Sequence, residues 1–202
     1  MNKGKSCTAR LTLFGLLALL LWSCNPLLNF GIVEKGKLYR SGQPDKDDFK
    51  YIAGKLKIKT LVIFKKDVEP SERKLASQYG IQLYHLTMSA GTPPTDEQLS
   101  IFFNIVTNSQ NHPSWIHCQG GADRTGIMTA LYRIEFNNWS KMKAIIEMIS
   151  YLHIPFRYPK LTEYIFNYQR RYASYRETDE EMEVLKQYLI EKDLVEPTIQ
   201  AN

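Results

Sequence analysis

Ser114-Trp115-Ile116-His117-Cys118-Gln119-Gly120-Gly121-Ala122-Asp123-Arg124-Thr125-Gly126 is the stretch on which the reading of this 202-residue chain turns. Residues 114–117 form a short run suited to a buried strand. The strand enters a Gly-rich turn, and a helical pattern follows over residues 124–137. Upstream, residues 37–40 read as a short strand, Ser41-Gly42-Gln43-Pro44 as a turn and residues 45–56 as a helix. Thr60-Leu61-Val62-Ile63-Phe64 is a continuous apolar, β-branched run, as expected of a strand covered on both faces. Residues 70–79 read as a helix stopped by Gly80, residues 81–86 as a strand and residues 87–94 as a loop. Thr95-Asp96-Glu97-Gln98 has capping-box spacing and opens a helix to residue 109. Downstream, residues 140–152, 160–172 and 179–195 read as helices. Strands alternate with helices and then helices follow alone. That order predicts an α/β fold with a central, mainly parallel β-sheet flanked by helices.

The turn carries chemistry. Successive N–H groups in such a loop converge on an anion, and the helix N-terminus adds positive potential. Gly120 and Gly121 permit positive φ and close backbone approach. Gln119, Gly120, Gly121, Ala122 and Asp123 therefore form a candidate phosphate cradle, closed by Arg124, whose planar fork binds two phosphate oxygens. The same field favours a thiolate at Cys118. Five residues separate Cys118 from Arg124, so the loop can curl to aim the sulfur at the phosphorus the arginine holds. The expected reaction is in-line attack, a phosphocysteine intermediate and hydrolysis. It needs no metal and no cofactor, and the sequence offers no convincing metal cluster.

Cys-x5-Arg followed by Thr-Gly, with His117 before the cysteine, resembles the signature of the protein tyrosine and dual-specificity phosphatase superfamily. The ending Asp123-Arg124-Thr125-Gly126 is similar to its bacterial members. Leu38-Tyr39-Arg40-Ser41-Gly42-Gln43-Pro44 resembles the opening of a bacterial dual-specificity-like group that is often exported, as do Tyr132-Arg133 and Trp139-Ser140. The likeness covers roughly residues 36–172. It implies a cysteine-phosphatase fold, with Cys118 as nucleophile, Arg124 as phosphate binder and Thr125 as the hydroxyl that bonds the leaving thiolate. It implies that His117 orients the cysteine. The implied substrate is a phosphorylated protein or another phosphomonoester.

One element of the pattern is missing. The superfamily's general acid is an aspartate on a loop about 30 residues before the cysteine, where it protonates the leaving oxygen. Here residues 87–94 contain no carboxylate. Asp123, directly before Arg124, is one substitute; some relatives have an aspartate there. Asp96 is the other, although its first-turn position is also explained by helix capping. A phenolic leaving group, with a pKa near about 10, depends on an acid less than an alkyl alcohol does.

The N-terminus reads as an export signal. Lys3, Lys5 and Arg10 precede the apolar residues 11–21, a run shorter than the roughly 20 residues of a membrane span. Leu21-Trp22-Ser23-Cys24 resembles the lipobox of bacterial lipoproteins, with Cys24 the lipidated residue; Trp22 departs from the small residue usual there. An uncleaved anchor or ordinary cleavage are the alternatives, and each exports the domain. The expected organisation is a signal over residues 1–23, a tether over 24–36 and a phosphatase domain over 37–202. The expected location is the periplasmic side of a bacterial membrane. Without residues 1–23 the formal charge falls from +5 to +2, so a nucleic-acid partner is not indicated. Cys7, Cys24 and Cys118 are the three cysteines. Only Cys118 lies in the folded body, as a buried small hydrophobe or as a nucleophile. Oligomeric state is not legible.

Other readings stay open. Residues 39–44 either line the pocket through Arg40 and Gln43 or hold the N-terminus. Residues 153–158 either form packed or solvated surface, or rim the site or contact a membrane. A phosphoinositide, inositol phosphate or phospholipid phosphatase is an alternative, although Gln119 to Ala122 add no positive charge. A pseudophosphatase that binds phosphorylated partners is another, opposed by the intact Cys118, Arg124 and Thr125. A rhodanese-type sulfurtransferase also uses a loop cysteine, but the Arg-Thr-Gly ending favours phosphate.

Overall fold

In the computed structural model, which describes residues 27–171, Ser114–His117 is the central strand of a five-stranded sheet. The strands are β1 (Gly31–Glu34), β2 (Leu38–Ser41), β3 (Thr60–Ile63), β4 (Gln82–His85) and β5 (Ser114–His117). Their spatial order is β1-β2-β5-β3-β4. β1 pairs antiparallel with β2, and all other pairs are parallel. Ser114 and His117 sit in register with Leu38 and Ser41 on one side and with Thr60 and Ile63 on the other. The expected α/β architecture is therefore present, and the C-terminal ends of β2, β3 and β5 meet at one edge.

Among the described residues six α-helices lie near the predicted boundaries: α1 (Lys46–Leu56), α2 (Pro70–Gln78), α3 (Asp96–Thr107), α4 (Arg124–Phe136), α5 (Lys141–Ser150) and α6 (Pro159–Asn167). α1 begins in a capping box between Asp45 and Asp48, and α3 in the predicted one between Thr95 and Gln98. α2 and α6 each open on a proline, which needs no amide partner there. The last helix is shorter than residues 160–172 predict. Tyr168 turns extended so that its hydroxyl reaches Glu135, while Arg170 bonds the Trp139 carbonyl.

The sheet is covered on both faces, so side chains alternate between two cores. Val62, Ile116 and Leu38 point into one, built with α3, α4, α5 and α6 around Phe102, Leu131, Ile145 and Leu161. Leu61, Ile63 and Trp115 point into the other, with Phe49 and Ile52 of α1 and Ala76 of α2.

β1 lies inside the stretch expected to be a tether. It escapes sequence reading because it is four residues long and buries Val33 while exposing Ile32. Glu34 fixes its end by accepting from Tyr132 Oη at 2.8 Å and Asn137 Nδ2 at 3.1 Å. The expected signal over residues 1–23, Cys24 and the helix over 179–195 lie outside the described residues. Among the described residues no helix is long and apolar enough to cross a membrane.

Candidate active site

The Gly-rich turn leaves β5 at Cys118 and enters α4 at Arg124. Four successive carbonyls of this loop accept hydrogen bonds from the surrounding protein. His117 Nδ1 reaches Cys118 O at 3.1 Å, and Gln43 N reaches Gln119 O at 2.9 Å. Asn29 Nδ2 reaches Gly120 O at 2.7 Å, and Arg40 Nη2 bonds Gly121 O. With the carbonyls held outward, the alternating amides are left for the concave side. The Gly121 N–H points to Cys118 Sγ at 3.3 Å. The N–H groups of Gln119, Gly120 and Ala122 have no protein partner among the described residues. This is the nest geometry in which backbone amides surround an anion.

The two glycines are not equivalent. Gly121 has φ +72°, and a Cβ there would lie within 2.6–2.7 Å of the Gly42 and Ser41 backbone. Gly120 has no positive φ, and a Cβ on it would meet nothing within 4 Å. The expectation that both supply special backbone freedom holds for Gly121 alone.

Arg40 does not line the pocket. It is 1% exposed, lies with its guanidinium 3.8 Å from the centre of the Tyr151 ring, and supports the loop from behind. Burial lowers its pKa to about 10, partly offset by Glu147, Tyr151 and Cys118, so the charge remains at neutral pH. Its Nε and Nη1 have no partner among the described residues. Ser41 accepts from Trp115 Nε1 at 2.8 Å, and Gln43 accepts from Lys65 Nζ at 2.6 Å. Residues 39–44 thus hold the Gly-rich loop in place.

Arg124 is anchored through Nη1, which donates to Phe64 O at 3.1 Å and Met88 O at 3.5 Å. Its Nε–Nη2 edge keeps two parallel donors for phosphate oxygens. Thr125 is fully buried, and its hydroxyl has no partner among the described residues. Cys118 is 2% exposed and is a free thiol.

His117 lies against Glu72 of α2, with Nε2 and Oε1 2.7 Å apart in a contact poorly aligned as a hydrogen bond. Burial pushes the Glu72 carboxyl up, but His117, Gln43 and Lys65 outweigh it and hold it below the usual carboxylate range. Sequence reasoning missed Glu72, because an acidic residue in a first helical turn is already explained by the helix dipole.

The two candidate acids are separated. Asp96 begins α3, where Thr95 does the capping, and its carboxylate is 86% exposed and paired with Arg171. Among the described residues no hydrogen bond or ion pair joins its carboxylate to the loop. Asp123 stands at the helix start but caps no amide. Its Oδ1 lies 2.7 Å from Nδ1 of His153, a fully buried side chain. The segment expected to pack or to rim the site thus joins it through His153, which adjacency in sequence did not show. Among the described residues no group of three or more His, Cys, Asp or Glu side chains is placed to hold a metal ion.

Comparison with known proteins gives the chain's relatives. The chain is 32% identical over 120 residues to the inositol diphosphatase SIW14 of Saccharomyces cerevisiae, covering 57% of the chain and 42% of the relative. It is 32% identical over 111 residues to the dual specificity protein phosphatase TpbA of Pseudomonas aeruginosa, covering 55% and 49%. These alignments span about half the length of the curated relatives. The crystal structure of the core catalytic domain of the yeast PP-IP phosphatase SIW14 superposes with a TM-score of 0.61 at 27% identity, over 85% of this chain and 96% of that one. A model of the tyrosine phosphatase family matches residues 25–187, within which the loop, its cradle and its helix all fall, and the chain belongs to that family.

Proposed function

We propose that this chain hydrolyses phosphomonoesters through a phosphocysteine on Cys118, with phosphotyrosine and other phosphorylated side chains of proteins as substrates. The observation that carries the reading is the loop whose carbonyls at residues 118–121 all accept hydrogen bonds, which leaves its amides to face the concave side beside the sulfur. The amides and the Arg124 fork bind the phosphoryl oxygens. The Cys118 thiolate attacks phosphorus, and the S–P bond forms as the ester O–P bond breaks. Amides and guanidinium stabilise the trigonal phosphoryl group. Asp123 gives its proton to the leaving oxygen; Asp96, exposed and paired with Arg171, is not given this role. Water then attacks phosphorus, Asp123 takes its proton, and Thr125 bonds the departing thiolate. His117, braced by Glu72, holds the Cys118 carbonyl and with it the direction of the sulfur.

A second reading, hydrolysis of inositol phosphates, is favoured by the 32% identity to a protein named an inositol diphosphatase. The uncharged Gln119, Gly120, Gly121 and Ala122 favour the less charged phosphoamino acids. A panel of phosphotyrosine and phosphoserine peptides, phosphoinositides and inositol phosphates separates the two. Turnover of phosphopeptides, abolished by Cys118→Ser and inhibited by vanadate, is expected. Turnover confined to inositol phosphates would replace the first reading with the second. Unchanged turnover in Cys118→Ser would remove both.

The chain is further proposed to be exported and lipidated at Cys24, on the sequence pattern around that residue. Labelling with an alkyne-tagged fatty acid is expected to mark the wild type and not Cys24→Ser. Equal labelling of the two overturns the assignment.

A further inference from the structure

We infer that His153 is a positioning residue for the leaving-group proton: it holds the Asp123 carboxyl in place and stabilises the carboxylate that forms when Asp123 gives its proton away. This rests on the reading of Asp123 as the general acid. Three observations carry it. First, His153 Nδ1 lies 2.7 Å from Asp123 Oδ1, across 30 residues of sequence. Second, the surrounding segment inverts the ordinary preference for burial. Leu152, Ile154 and Phe156 are 65%, 39% and 68% exposed, while the histidine between them is 2% exposed. Burying an imidazole is unfavourable unless its nitrogens are bonded, so the polar contact, and not packing, accounts for the arrangement. Third, an aspartate directly before a helix ordinarily caps it, yet Asp123 makes no capping bond and is bonded to His153 instead.

The ring's other nitrogen completes the assignment. Nε2 lies 3.4 Å from Oγ1 of the buried Thr162 on α6. The neutral tautomer that serves both contacts carries its proton on Nδ1, donating to Asp123, and accepts from Thr162 at Nε2. Asp123 then has one oxygen fixed by His153 and the other for the substrate. When S–P forms and O–P breaks, the carboxyl proton passes to the leaving oxygen, and the carboxylate left behind already has a donor. When water attacks the phosphocysteine, its proton returns to that oxygen, S–P breaks, and the thiolate is restored. His153 neither gains nor loses a proton in the cycle.

Two amide replacements separate positioning from filling. In His153→Asn the side-chain NH2 takes roughly the place of Nδ1–H and can still donate to Asp123. In His153→Gln the amide reaches toward Thr162 and leaves Asp123 without its donor. The readout is kcat/KM, which reports the step that expels the leaving group, on an alkyl phosphate and on a nitrophenyl phosphate. The nitrophenolate needs little help from an acid. His153→Gln is expected to lose about 10–100-fold on the alkyl ester, less than the roughly 100–10,000-fold typical of a whole general acid. On the nitrophenyl ester it is expected to stay within about threefold of wild type, and His153→Asn is expected to recover the greater part of the alkyl activity. In an Asp123→Asn background, His153→Gln should add no further loss on the alkyl ester. Equal losses on both esters, or no difference between Asn and Gln, overturn the inference and leave His153 a structural residue. If Asp123→Asn itself loses no more on the alkyl ester than on the nitrophenyl ester, the reading of Asp123 as the acid fails instead. Thermal melts of each variant show whether it is folded, and if His153→Gln is not, Thr162→Val provides the same comparison by removing the contact that fixes the ring.

Discussion

At the scale of single residues, the site depends on atoms that never touch the substrate. Gly121 combines positive φ with a backbone approach that no side chain can enter. Left-handed backbone costs an L-residue about 1–2 kcal/mol before any clash is counted. Gly121→Ala is therefore expected to lose about 2 kcal/mol or more in urea denaturation, together with most of its activity. Gly120→Ala, whose new methyl meets open space, is expected to stay within about 0.5 kcal/mol of wild-type stability. Equal destabilisation by the two would show that the turn is not built as described. Arg40 makes the opposite case, because its replacement is expected to alter function more than stability. A buried guanidinium with unpartnered Nε and Nη1 carries a large desolvation cost, and an apolar replacement of similar shape is often neutral. Arg40→Met is expected to change stability by less than about 2 kcal/mol, since the Gly121 carbonyl loses one donor worth about 1–3 kcal/mol while the cost of the buried charge disappears. Vanadate inhibition, which reads the order of the loop, is expected to weaken by about tenfold, or about 1.4 kcal/mol. An unchanged inhibition constant would assign Arg40 to the fold alone.

At the scale of elements, α2 reaches the catalytic strand through one carboxylate. Glu72, 2% exposed, is held below its usual pKa beside His117. A carboxyl depressed in the folded state stabilises the protein above its unfolded value of 4.5. That contribution is lost as pH falls through the lower folded value. Glu72→Gln is expected to cost about 2 kcal/mol at pH 7, the scale for removing one partner from buried polar groups. The gap to wild type should close as urea midpoints are followed below pH 4.5; a gap that persists there would mean that the carboxylate's charge is not what matters. Elements also show where sequence reading succeeds. β5, α4 and the capping box of α3 were legible because each carries a local signal: an apolar run, a helical period, or Thr95 and Gln98 at the right spacing. β1 was not legible, since four residues with one buried hydrophobe carry no period. The same division holds in the site. Cys118, Arg124 and the loop amides are contiguous and were legible as a unit. Glu72, Asn29 and His153 are brought in by the fold from 46, 89 and 35 residues away from Cys118, and nothing in their own neighbourhoods marks them. Asp123 was the favoured acid on paper, because helix capping already explained Asp96; packing sets Asp123 beside a buried histidine and Asp96 beside Arg171.

At the scale of the whole molecule, one sheet carries two cores and the site sits on its edge. The cores share no side chain, because alternate residues of β3 and β5 go to opposite faces. They are nevertheless joined by backbone. β5 pairs on both sides, so loss of either helical layer exposes a face of the strand from which the catalytic loop springs. The pairs β2–β5 and β3–β5 also join distant parts of the chain, and neither layer has a complete sheet of its own. Such an arrangement predicts cooperative unfolding of both layers together. Ile52 of α1 and Leu161 of α6, each fully buried, belong to the two different cores. Ile52→Ala and Leu161→Ala are each expected to lower stability by about 2–5 kcal/mol. Lying on opposite faces of the sheet with no shared partners, their effects should add within about 0.5 kcal/mol in the double variant, provided it still folds. Each single variant should show one transition at one midpoint, whether followed by far-ultraviolet circular dichroism, by tryptophan fluorescence or by loss of phosphatase activity. A variant in which activity disappears at lower denaturant than helical signal would show that the layers melt separately, and that the loop depends on one of them more than on the sheet that joins them.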